Sequence, residues 1–137
     1  GRTPPDDAKV AEVTRGVQAI VETCRRKVPT ATIVLTAIFP RNDNPAVVPG
    51  LERINQNLAR LADGKAIRYL NINDKLADAN GQLRAGMTAD KLHLTFKGYE
   101  LWAAGLKPIL TELLGPPAAT DQAPPRTGDP SAAGRKK

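Results

Sequence analysis

Two segments rich in β-branched and apolar residues, 31–39 and 67–72, place the strongest constraint on the fold of this 137-residue chain. The first segment is almost continuously apolar, which suits a strand covered on both faces, as in a parallel sheet. Between the two segments, apolar side chains recur at the spacing of one helical face: Leu51, Ile54, Leu58 and Leu61. A strand, a helix and a second strand in this order predict a right-handed parallel crossover, the unit of an α/β sandwich.

Two further amphipathic helices are predicted on either side of this unit. The first begins near Thr3, before two prolines and two aspartates, and ends at Pro29. Cys24 lies on its apolar face, so we expect a buried, inert thiol there. The last helix follows the second strand, and its apolar face contains Tyr99, Trp102, Ala103, Leu106, Ile109, Leu110 and Leu113.

Two strands are few for three amphipathic helices. A two-stranded parallel sheet leaves both edges bare, and the apolar helix faces need more sheet to cover. The sequence therefore predicts part of a three-layer α/β/α doubly wound parallel sheet whose N-terminal strands are absent. Residues 40–50 and 73–94 are predicted as loops at the carboxyl ends of the two strands, where ligands bind in open α/β sheets.

The composition changes after Leu114. Residues 115–137 contain five of the twelve prolines and no apolar residue larger than alanine, whereas the whole chain is 41% apolar. Such a stretch buries too little surface to offset its ordering entropy. We therefore predict one domain portion over residues 1–114 and a disordered, basic tail over 115–137. The first residues contain neither an initiator methionine nor an apolar stretch, so we do not expect the natural protein to begin at Gly1. The sequence gives no indication of a cellular compartment.

The charge and the metal-ligating residues exclude several classes of protein. The net charge of +6 is thinly spread, and its one cluster, Arg25 to Lys27, falls at the end of the first helix, where cations complement the helix dipole. The five aromatic residues form no stacking array, so we expect no nucleic-acid partner. One histidine and one cysteine cannot make a structural zinc site, and no apolar run is long enough to span a membrane.

The single histidine has a carboxylate three residues before it. Asp90 and His93 lie in the predicted loop after the second strand. A carboxylate that accepts a hydrogen bond from the imidazole Nδ1 fixes the tautomer and leaves Nε2 free to take a proton from a nucleophile. The spacing alone also fits a surface histidine before a helix, with Asp90 as a turn residue.

The wider sequence context resembles the SGNH (GDSL-type) hydrolases, closest to the platelet-activating-factor acetylhydrolase catalytic-subunit type. Asp90-x-x-His93-Leu94, followed by Gly98-Tyr99 and Trp102-Ala103, is similar to the last motif of that family. Upstream, 33–41, 51–61 and 67–72 resemble the family's fourth strand with its Pro-Arg, the next helix with its Ile-Asn pair, and the strand before the catalytic loop. The resemblance covers residues 1 to about 114.

The resemblance implies a serine ester hydrolase that acts through an acyl-enzyme on a small acyl ester and needs no metal or organic cofactor. His93 is then the general base and acid, Asp90 orients it, and Arg41 is a candidate substrate-binding residue. The family's Gly-Asp-Ser block and its oxyanion glycine and asparagine have no match in this sequence. The only serine is Ser131, in the tail, and Thr88 and Thr95 do not lie in a strand-to-helix turn.

Two hypotheses follow from that mixture of matches and gaps. Under the first, the chain is the C-terminal part of an esterase and is inactive alone. Under the second, it is a non-catalytic SGNH-like binding or assembly module. The oligomeric state is not indicated.

Overall fold

The computed structural model describes residues 4–120 and 122–124. Its elements follow the chain as α1 (Asp7–Lys27), β1 (Ile33–Thr36), a short 3₁₀ helix (Pro45–Val47), α2 (Val48–Ala59), β2 (Ile67–Leu70), α3 (Asn73–Leu76) and α4 (Phe96–Leu114). The order of the long helices and strands is the one predicted, and the protein is an α/β structure. No described helix is long and apolar enough to cross a membrane.

β1 and β2 pair in parallel, with Ile33 opposite Ile67 and Thr36 opposite Leu70. Both strands are shorter than the apolar segments that predicted them. The ladder continues for one bond past β1, where the Ala37 amide donates to the Leu70 carbonyl at 2.8 Å. Helix α2 forms the crossover between the two strands, so the predicted strand–helix–strand unit is confirmed.

Two apolar clusters cover the opposite faces of this sheet. One lies between α1, α2 and the sheet and is centred on Val10, Ile54 and Leu58. The other lies beneath the segment between β2 and α4 and contains Ile72, Leu76, Leu83, Met87 and Leu94. Tyr69 packs on the first cluster and Leu70 on the second. Consecutive side chains of a strand point to opposite faces, so helices and loops form a layer on each side of the sheet.

Three predictions about element boundaries need correction. Helix α1 begins at Asp7, and its N-cap is Asp6, whose carboxylate accepts a hydrogen bond from the Lys9 amide at 3.1 Å; Thr3 lies outside the described residues. The predicted loop 40–50 is helical from Pro45 onward, because Pro45 and Pro49 suit the first turns of helices. The loop 73–94 contains α3 and two isolated β-bridges.

The prediction of a buried Cys24 was wrong. The thiol is exposed, as are the neighbouring apolar side chains of Ile20 and Val28. The apolar cluster between α1 and α2 includes Val10, Val13 and Val17 but does not extend to the last turn of α1. The helical spacing identified an apolar face correctly, but only part of that face meets an apolar partner among the described residues.

Residues 115–120 and 122–124 are exposed and form no helix or strand. The rest of the predicted tail, including Ser131, lies outside the described residues, so the tail remains a prediction.

Candidate active site

Asp90 and His93 lie on a tight turn that we call the histidine loop, residues 88–94. An antiparallel bridge between Thr88 and Leu94 closes the loop at its base. Leu94, the last residue of the loop, and Met87, the residue just before the loop, are buried in the apolar cluster beneath the loop. Thr95 follows the loop, donates its hydroxyl to the Gly86 carbonyl at 2.6 Å and caps the N-terminus of α4. The loop is therefore anchored on both sides while its tip faces outward.

The Asp90 carboxylate is the centre of the loop. Its Oδ2 lies 2.6 Å from His93 Nδ1. Its Oδ1 accepts the backbone amides of His93 at 2.8 Å and Leu92 at 3.0 Å, and the Thr88 hydroxyl at 3.3 Å. These bonds, that from the imidazole foremost, hold the pKa of Asp90 far below its ordinary value. An ionised carboxylate only accepts hydrogen bonds, so His93 Nδ1 carries the proton and Nε2 is free to act as a base.

Both side chains face solvent. The His93 side chain is 73% exposed and that of Asp90 is 55% exposed. An imidazole held at Nδ1 and open at Nε2 can exchange a proton with a group brought to it from outside. Within residues 4–120 and 122–124, no group of three or more His, Cys, Asp or Glu side chains is arranged to hold a metal ion.

The two hydroxyl groups next to the tip of the histidine loop, those of Thr88 and Thr95, are engaged in hydrogen bonds, and the one thiol lies elsewhere in the fold. Thr88 is hydrogen-bonded to Asp90, and Thr95 is engaged with Gly86. Cys24 lies next to Arg25, which pairs at 3.5 Å with Asp63, and Asp63 accepts the Ile67 amide at the start of β2. Cys24 is thus near the amino end of the sheet, whereas the histidine loop follows the carboxyl end.

Arg41 is held by its neighbour Asp43. Its Nε and Nη2 contact the two carboxylate oxygens of Asp43 at 2.6 and 2.5 Å. This pair lowers the pKa of Asp43 and raises that of Arg41. Arg41 lines a cavity of about 440 Å³ between α1 and α2, together with apolar side chains such as Val10 and Leu51. No hydrogen bond or ion pair among the described residues joins it to Asp90 or His93, so its role in substrate binding remains a prediction.

Asparagine side chains fix the carboxyl end of β1, and the sequence did not indicate this. Asn55, only 6% exposed on α2, accepts the Ile38 amide at 2.8 Å and donates to the Ile38 carbonyl at 2.9 Å. Asn73 donates to the same carbonyl at 2.9 Å. These contacts hold the start of the loop that carries Arg41. The only sequence signal was the Ile54-Asn55 pair, which marked a helix and not a contact.

The loop after β1 also touches the histidine loop directly. The backbone amides of Asn42 and Asp43 donate to the Lys91 carbonyl at 2.7 and 3.1 Å. Lys91 lies between Asp90 and His93 and has a φ of 69°. The two loops predicted at the carboxyl ends of the strands are therefore in contact.

The chain resembles two solved protein structures. It aligns with a provisionally assigned platelet activating factor from Streptococcus pneumonia at 30% identity and a TM-score of 0.65, covering 76% of this chain and 53% of that one. A GDSL-like lipase from Bacteroides thetaiotaomicron has the same fold, with 18% identity, a TM-score of 0.65, and coverage of 77% and 54%. The chain thus spans about half the length of these two proteins. No curated protein matches it.

The family comparison agrees with the fold and with the residues quoted above. The model of the GDSL-like lipase/acylhydrolase family matches residues 1–101, about three quarters of the chain. That stretch contains both strands and the histidine loop. The chain belongs to the GDSL-like lipase/acylhydrolase family.

Proposed function

We propose that this chain supplies the general base and its orienting carboxylate to a serine ester hydrolase. The observation that carries the proposal is the 2.6 Å contact between His93 Nδ1 and Asp90 Oδ2, on an imidazole whose side chain is 73% exposed. The carboxylate selects the tautomer with a free Nε2, and the exposure leaves that atom accessible. A base prepared in this way needs only a hydroxyl within hydrogen-bond reach to take part in acyl transfer.

The reaction then has two halves. His93 Nε2 takes the proton of a serine hydroxyl as the serine oxygen attacks the ester carbonyl carbon. The tetrahedral adduct collapses, the carbon–oxygen bond to the alcohol breaks, and the imidazolium returns the proton to the departing alkoxide. Water attacks the acyl-serine with His93 again as base, which releases the acid and restores the serine. Asp90 stays ionised throughout and stabilises the imidazolium.

The serine itself is proposed to lie in a part of the fold that this chain does not supply. The one serine of the sequence is Ser131, which is not among the described residues. The likeness to proteins of which this chain matches only about half supports this arrangement, since those proteins contain further chain beyond the matched half. The resemblance to the family implies that the same missing part carries the backbone, glycine and asparagine donors of the oxyanion hole. The proposed substrate class is small acyl esters, such as acetyl esters.

The first test is the DNA upstream of the Gly1 codon. We expect an in-frame Gly-Asp-Ser block followed by the family's glycine and asparagine blocks. A start codon at this point with no such blocks would instead support a non-catalytic binding or assembly module.

The second test uses the longer protein that such a reading frame encodes. His93→Ala should lower kcat for a short acyl ester by about 10³-fold or more, as loss of the base does in serine hydrolases. Asp90→Asn should lower it severely but less, because the amide is nearly isosteric yet no longer stabilises the imidazolium. Asp74→Asn, which changes an exposed carboxylate of α3, is the matched control and should keep full activity. A folded His93→Ala variant with normal turnover would show that the proposed roles are wrong.

A further inference from the structure

We propose that Asn42 is a positioning residue, which holds the Asp90–His93 pair in its reactive geometry by clamping the histidine loop to the apolar cluster beneath it. The inference rests on the proposed function for its consequence in catalysis, but the geometry it concerns can be measured without turnover. Nothing in the sequence pattern pointed to Asn42, which lies in a run of typical loop residues, Asn42 to Pro45.

The backbone of Lys91 has an unusual conformation. Its φ of 69° lies in the left-handed region, and Lys91 is the only residue other than glycine with such a value within residues 4–120 and 122–124. L-residues avoid this region unless the surroundings impose it. Here the Lys91 carbonyl accepts two backbone amides, those of Asn42 and Asp43. These two bonds hold the unfavourable conformation from outside the loop, together with the bonds that Asp90 makes within it.

The Asn42 side chain holds the segment that carries these two amides. The Asn42 side chain donates from Nδ2 to the Leu83 carbonyl at 3.0 Å and accepts the Leu83 amide on Oδ1 at 2.8 Å. A primary amide that engages both backbone groups of one residue takes the place of a neighbouring strand. Leu83 is buried with Met87 and Leu94 and forms a β-bridge with Ala77. The clamp therefore connects the outer loop to the buried apolar cluster.

The conformation of Lys91 affects the hydrogen bonds of Asp90. The turn at Lys91 brings the amides of Leu92 and His93 to Asp90 Oδ1 while Oδ2 meets the imidazole. If the Lys91 carbonyl loses its partners, the backbone is free to leave the left-handed region, and these three bonds loosen together. Asn42 thus acts on His93 through Asp90, while its own hydrogen bonds go to Leu83 and Lys91.

The neighbouring residues provide the controls. Asn44 lies two positions away in the same loop, is exposed, and makes no capping hydrogen bond with its side chain. Asn44→Ala is therefore the matched control for Asn42→Ala. Ile54→Val removes one methyl group from the apolar cluster on the other face of the sheet. It lowers the stability of the fold without touching the histidine loop, which separates positioning from general destabilisation.

The test is nitrogen NMR of the full chain with ¹⁵N-labelled histidine, which gives one imidazole because the chain has one histidine. The spectra are recorded over a pH series that extends to about 9, and the tautomer is read from the spectra that no longer change with pH. We expect the Nδ1–H tautomer in the unaltered chain, in Asn44→Ala and in Ile54→Val. Asn42→Ala should show a mixture of the Nδ1–H and Nε2–H tautomers, with proportions that approach those of Asp90→Asn. In Asn42→Ala the carboxyl pKa of Asp90 should also rise toward its ordinary value.

A folded Asn42→Ala chain with the unaltered tautomer and Asp90 titration would overturn the proposal. If Asn42→Ala does not fold, Asn42→Asp gives the same test, because its carboxylate can accept the Leu83 amide but cannot donate to the Leu83 carbonyl. Loss of the fold in both variants would assign Asn42 to general stability and would also overturn the positioning role.

The longer protein gives a separate readout. There, Asn42→Ala should lower kcat by roughly 10- to 100-fold with KM unchanged, as expected for a displaced catalytic group. If His93→Ala leaves turnover intact, the proposed function fails while the NMR result on Asn42 still stands. If the NMR result fails and His93→Ala is inactive, only the role of Asn42 is wrong.

Discussion

Asp90 accepts four hydrogen bonds, and only one of them comes from the imidazole. The other three come from Thr88 and from the backbone of the loop itself, so the carboxylate organises the turn as well as the histidine. The structure brings Asp90 and His93 together, and their catalytic roles remain a proposal. The same bonds mean that the ionised carboxylate stabilises the loop. The stability of the chain should therefore depend on pH.

The stability of the chain should respond to Asp90 ionisation. The folded pKa of this carboxyl is lowered, foremost by the His93 side chain and then by the His93 and Leu92 amides. A lowered folded pKa contributes stability that is present above the unfolded value of about 3.9 and is lost as the pH falls toward the folded pKa. We therefore expect the unaltered chain to melt at a higher temperature than Asp90→Asn at pH 7. The gap should shrink as the pH falls below about 4.

Thermal melting of the two proteins between about pH 3 and 7 checks this expectation. Asp43, Asp63 and Glu112 also have lowered pKa values, but they occur in both proteins and cancel in the difference. A gap that stays constant with pH would show that Asp90 acts only by its shape.

At the scale of the elements, α4 lies very close to β2 and the residues that follow it. A Cβ atom at Gly105 would be 2.7 Å from Ile72 Cγ2 and 3.5 Å from Leu70 Cδ1. Across the same interface, the guanidinium of Arg68 forms two hydrogen bonds of 2.9 Å to the carboxylate of Glu112. Because α4 follows the histidine loop directly, its seating on β2 determines where that loop ends.

Gly105→Ala should destabilise the chain by about 1–3 kcal/mol, because the added methyl group overpacks the interface. Gly16→Ala is the matched control, since Gly16 lies within α1 and has nothing within 4 Å of a Cβ. Alanine is the better helix former, so this change should stabilise by about 0.5–1 kcal/mol. Urea unfolding of both variants measures the two effects. Equal stability of the two would mean that α4 does not pack on Ile72 as described.

The elements were largely predictable from the sequence, and their contacts were not. Apolar periodicity located α1, α2, α4 and both strands, because it depends on which side chains must leave water. It overestimated the first strand, 31–39, because the chain leaves the ladder after Ala37 and the next residue, Ile38, is held by Asn55 instead. It also placed Cys24 in the core, since periodicity defines a face but not its partner. The pairing of Asn42 with Leu83 spans 41 residues, and no local pattern encodes such a distance.

At the scale of the whole molecule, the residues that the structure describes form a sheet of two strands with helices or loops on both faces. Among the described residues, no strand pairs with the other edge of β1. The two solved structures that it resembles belong to proteins about twice as long as the part that it matches. The arrangement of an exposed imidazole beside a short sheet is what we expect if the nucleophile and the oxyanion donors come from the remaining part of such a fold.

The chain on its own should therefore hydrolyse p-nitrophenyl acetate no faster than free imidazole at the same concentration of imidazole groups. His93 can act as a simple base or nucleophile toward this activated ester, whereas the serine and the oxyanion donors are proposed to lie in the remaining part of the fold. The rates of the unaltered chain, His93→Ala and Thr88→Ala are compared with that of free imidazole. Turnover well above imidazole that is lost in His93→Ala would show that the chain contains its own nucleophile. If this turnover is also lost in Thr88→Ala, the nucleophile is the Thr88 hydroxyl, which hydrogen-bonds to Asp90.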